Sequence, residues 1–67
     1  MESGSARWLA ALVRYALVET IFKMQVFDYL MPKQRASLMV TLTDRMMVDP
    51  ALRIRILLMR GLGPLVA

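Results

Sequence analysis

Residues 6–31, ARWLAALVRYALVETIFKMQVFDYLM, contain neither glycine nor proline and are followed at once by Pro32. With no breaker inside, and with apolar side chains recurring at helical intervals, the stretch reads as one long helix. Ser5 is placed to cap its start, and Pro32 ends it because the residue before a proline is pushed out of the helical region. At about 1.5 Å per residue the rod would be about 39 Å long. Glu19 and Lys23 stand four apart in the favourable order for a helical ion pair.

Working outward, Pro32 suits the first turn of a second helix, which the pattern carries to Val48. Ala36, Met39, Val40, Leu42, Met46 and Met47 fit helical spacing better than alternation. Asp49-Pro50 then reads as an N-cap followed by a first-turn proline, opening a third helix over 50–60. Gly61 is placed to close it, with Gly63-Pro64 blocking continuation. The sequence therefore predicts an all-α fold: a long N-terminal helix (6–31) and two shorter ones (32–48 and 50–60). They would form a helical hairpin or an open three-helix arrangement, in a single small domain with loose tails at 1–5 and 61–67.

The long helix has two apolar sides. Trp8, Tyr15, Phe22 and Tyr29 recur every seven residues and are four of the five aromatics. A seven-residue step drifts only ~20°, so the rings form one nearly axial stripe, flanked by Ala11, Val18 and Val26. Almost opposite runs a second seam of Ala10, Val13, Leu17, Met24, Phe27 and Met31, interrupted by Thr20. Arg7, Arg14, Gln25 and Asp28 make a narrow polar strip between them, and Glu19 and Lys23 mark the other side. A surface helix ordinarily has one apolar face. Either the second face packs on the chain's own later helices, with the rings as core, or one seam meets a partner. The second reading is preferred, because two short helices are few to cover both sides of the rod. The expected partner surface is Trp8, Tyr15, Val18, Phe22, Val26 and Tyr29, with Tyr15 and Phe22 at its centre.

Composition points the same way. Of the 67 residues, 58% are hydrophobic, and there is no Cys to staple so small a fold. Below about 70–80 residues a single core rarely supplies more than ~3–5 kcal/mol. The partner would be another protein subunit or a second copy of the chain. Lack of cysteine argues against a disulfide-stabilised secreted protein and suits a reducing intracellular compartment or organelle. Glu2 and the short run Trp8–Val13 do not make a secretory signal. A single membrane span is disfavoured by Arg14, Glu19, Lys23 and Asp28 within 8–31.

The net charge of +4 arises entirely from residues 32–67. Arg53, Arg55 and Arg60, set among Leu52, Ile54, Ile56, Leu57 and Leu58, are the expected contacts to an anionic surface, whether acidic protein, lipid headgroup or nucleic acid. Arg53 and Arg60 share one side, and Arg55 points elsewhere. The seven methionines are expected to serve adaptable packing rather than soft-metal ligation. With no His or Cys, no glycine-rich phosphate loop and no compact carboxylate motif, neither catalysis nor a cofactor or metal site is expected. The leading expectation is a non-enzymatic helical accessory subunit of a larger assembly, membrane-associated in one setting. A membrane-peripheral or membrane-active small protein comes second, and a small basic nucleic-acid-binding module third.

Overall fold

The computed structural model describes the backbone of residues 2–66 and the side chains of residues 6–66. It is all-α, with α1 spanning Glu2–Lys23, α2 Pro32–Val48 and α3 Leu52–Val66. The three form an elongated body of 43 × 19 × 18 Å. No helix among the described residues is long and apolar enough to cross a membrane.

The first helix ends eight residues before the expected Met31. The Met24 N–H still donates to the Thr20 carbonyl at 2.9 Å, but Gln25 turns left-handed at φ 52° and ψ 47°. Val26–Tyr29 then form a single 3-10 turn. Val26, Phe27 and Tyr29 are β-branched or aromatic and favour a helix weakly, so local propensity opposes the break little. The turn carries Phe27 into the core, where it is buried. Arg35 holds the turn from the far side, its Nε donating to the Phe27 carbonyl at 3.2 Å. Tertiary burial thus overrides a stretch with no breaker in it. The helix also starts earlier than expected, at Glu2, which places Ser5 inside α1 rather than at its cap.

The second helix begins where the proline rule puts it. Met31 is extended (φ −67°, ψ 156°), and its N–H donates to Gln34 Oε1 at 3.1 Å, satisfying an amide just ahead of the helix. The third helix departs from expectation at both ends. It opens at Leu52, two residues after Pro50, and continues through Gly61, Gly63 and Pro64. Neither of its glycines has positive φ, so neither forms the left-handed cap that would end a helix. Residues 2–5 and 61–66, expected as loose tails, are therefore helical; Met1 and Ala67 lie outside the described residues.

The third helix is the keystone. It packs against both α1 and α2. Ile54, Leu58 and Leu62, four residues apart on one face, join Val18, Phe27 and Leu42 in the core. Gly61 decides how closely α1 approaches. A Cβ at position 61 would overlap the Phe22 ring, whereas one at Gly63 would meet open space. The glycine read as a terminator is instead the floor on which Phe22 rests.

Candidate functional site

Placement of the side chains divides α1 into an inner and an outer face. Val18 is 5% exposed and belongs to the core, with Ala11, Tyr15, Ile21 and Phe22 packed partly buried around it. Three residues expected on the partner surface, Tyr15, Val18 and Phe22, are thus occupied by the chain's own packing. The reason is geometric: α3 lies along the aromatic stripe, and Gly61 admits the Phe22 ring. Trp8 and Tyr29, the ends of the stripe, remain exposed, and Val26 is half-buried.

The opposite seam is the one left open. Leu9, Val13 and Leu17 are 55%, 59% and 60% exposed, and Met24 and Met31 are exposed as well. Phe27 leaves this seam at the 3-10 turn and enters the core. Ala10 and Ala16 complete a surface on which no charge falls between Trp8 and Val18, because Arg14 turns inward. Thr20 does not interrupt it with an unmet polar group, since its hydroxyl donates to the Ala16 carbonyl at 2.8 Å.

Arg14 makes a two-point ion pair across the fold. Its Nε donates to Asp49 Oδ2 at 2.8 Å and its Nη2 to Oδ1 at 3.0 Å, a bidentate pair joining positions 35 apart. The Asp49 side chain is fully buried, while Arg14 keeps partial access to water. Asp49 Oδ1 also accepts the Ala51 N–H at 2.9 Å, and Arg45 Nη1 stands 3.7 Å from Oδ2. Asp49 was expected to cap a helix at Pro50. It instead ends α2, its own N–H donating to the Arg45 carbonyl, and its carboxylate ties α1, α2 and the start of α3 together. Hydrogen bonding from Arg14 holds the Asp49 carboxyl below the usual carboxylate range. Burial opposes that effect, and the Ala51 amide reinforces it. The same hydrogen bond raises Arg14 above the ordinary arginine value.

Arg53, Arg55 and Arg60 are all exposed. The fold brings two of them beside the aromatic stripe, which the sequence alone did not. A groove of about 430 Å³ between α1 and the start of α3 is lined by Trp8, Leu12, Tyr15, Leu52, Arg53 and Ile54. Tyr15 and Arg53 also border the next hollow, which reaches Arg60. Arg55 lines neither. Among the methionines, Met39 and Met46 pack against the core while Met24, Met31, Met47 and Met59 are exposed. The expected Glu19–Lys23 pair is absent from the ion pairs of the described side chains.

Sequence reasoning missed the Arg14–Asp49 lock and the packing role of Gly61. Arg14 carried a legible signal: it is the lone charge in an otherwise uncharged run from Trp8 to Val18, and such a charge needs a partner when its helix is covered. Nothing local identified Asp49 as that partner. No protein-family model matches the chain, and neither a curated protein nor a solved structure does.

Proposed function

We propose that the chain is a non-enzymatic helical interaction subunit that docks on another protein surface through an apolar helix face. The observation that carries this reading is the outer face of α1 between Trp8 and Val18, which bears no outward charge and on which Leu9, Val13 and Leu17 are all more than half exposed. An apolar helix face is ordinarily buried, and none of the described residues covers the second apolar side of α1.

A photo-crosslinking amino acid at Val13, introduced in the cell that makes the protein, tests the reading. It is expected to yield a discrete covalent protein adduct. The same group at Asp44, exposed on α2, is expected to give little or none. Absence of a protein adduct at Val13, or equal labelling from both positions, would refute the docking role.

A further inference from the structure

We infer that the partner seated on the outer face of α1 is a second copy of this chain, packed α1 against α1 about a two-fold axis. The inference rests on the docking reading above and adds the identity of the partner.

Charge is the first argument. A two-fold interface sets a patch against itself, so any charge near the axis meets its own like. The outer face between Trp8 and Val18 has none, because its one charged residue points inward onto Asp49. The +4 of the chain lies wholly in residues 32–67. Pairing through α1 sets those basic halves on opposite outer sides, with two helix layers between them. A dimer through α2 or α3 would bring them together.

Spacing is the second. Leu9, Val13, Ala16 and Thr20 follow one another at intervals of four, three and four, the seam of a two-helix packing. Leu12 and Leu17 flank it on either side.

Sedimentation equilibrium of the purified full chain over a hundredfold range of concentration is the test. A dimer that dissociates on dilution is expected. Leu17→Glu should raise its dissociation constant at least about a hundredfold by burying a charge in an apolar interface. Leu9→Glu, nearer the end of the helix and outside the core, should do the same, and circular dichroism of each variant checks that helicity is kept. Val40→Glu, on α2 and 60% exposed like Leu17, should leave the dimer intact. A wild-type monomer throughout the range would overturn the inference, as would a dimer that Val40→Glu weakens as much as Leu17→Glu. So would partition onto phosphatidylcholine vesicles in place of self-association. If the purified chain is monomeric while Val13 still crosslinks to a different protein, the second copy is refuted and the docking role stands. If both are negative, both fall.

Discussion

The two faces of α1 are both apolar and meet opposite fates. Val18 is buried and Val13, five residues away, is open; Phe22 rests on α3 while Leu17 faces outward. Apolar character alone does not distinguish the core face. Two specific contacts mark it. Gly61 leaves room for the Phe22 ring, and the Arg14–Asp49 pair pins the same side of α1 to the α2–α3 junction. A helix with two usable faces is oriented by the fine fit of one and by the polar lock beside it.

The sharpest way to break this comparison is to remove matching side chains from both sides. Leu58 is fully buried, so Leu58→Ala should cost about 2–5 kcal/mol in urea unfolding. Leu17→Ala, measured in solution dilute enough to be monomeric, should stay within about 0.5 kcal/mol of wild type. Equal losses would mean that the outer face is core after all.

The lock comes next. Arg14→Met leaves a fully buried carboxylate with only the Ala51 amide and the more distant Arg45, whereas Asp49→Asn leaves an arginine that can still reach water. The first variant should therefore be the less stable at neutral pH. Acid sharpens the point. The Asp49 carboxyl is depressed in the folded chain, so its contribution is fully present above the unfolded value of about 3.9 and is lost as pH falls through the lower folded value. Arg14 is raised, so its share is lost only in strong alkali. Thermal melts of wild type should lose stability below about pH 4 by more than melts of Asp49→Asn.

A smaller pair of effects differs in size. Gly61→Ala should cost about 1–3 kcal/mol by forcing the Phe22 ring aside. Gly63→Ala meets nothing beyond its chain neighbours and should stay within about 0.5 kcal/mol of wild type, because the gain in helix propensity is offset by a Cβ set ahead of Pro64. Combining Gly61→Ala with Phe22→Leu should recover part of the loss, and no recovery would place the close approach elsewhere. Smallest is Gln25→Gly. It removes a side chain from left-handed backbone and should raise stability by up to about 1 kcal/mol in the same melts.

Much of the architecture was legible because it is written locally. The bend ahead of Pro32, the span of α2 and the helical class of every segment follow from proline geometry and periodicity. The end of α1 was not legible. No breaker marks Met24 or Gln25, and the chain turns there because Phe27 has a core position to enter. The ends of α3 were misread for a related reason. Asp49 and Gly61 have strong local meanings as caps. Asp49 keeps a local bond to the Ala51 amide but also takes the long-range contact with Arg14, and Gly61 takes one with Phe22.

The candidate surface divides in the same way. Composition and spacing alone determined that α1 has two apolar sides and that the positive charge lies in the second half. Which side would be left open depended on where α3 lies, and that rests on contacts between residues more than thirty positions apart. Sequence periodicity gives the angle of each side chain about its own helix but not the side from which a neighbour approaches. Only tertiary packing supplies that direction. Here it turned Tyr15, Val18 and Phe22 inward and left Leu9, Val13 and Leu17 outside.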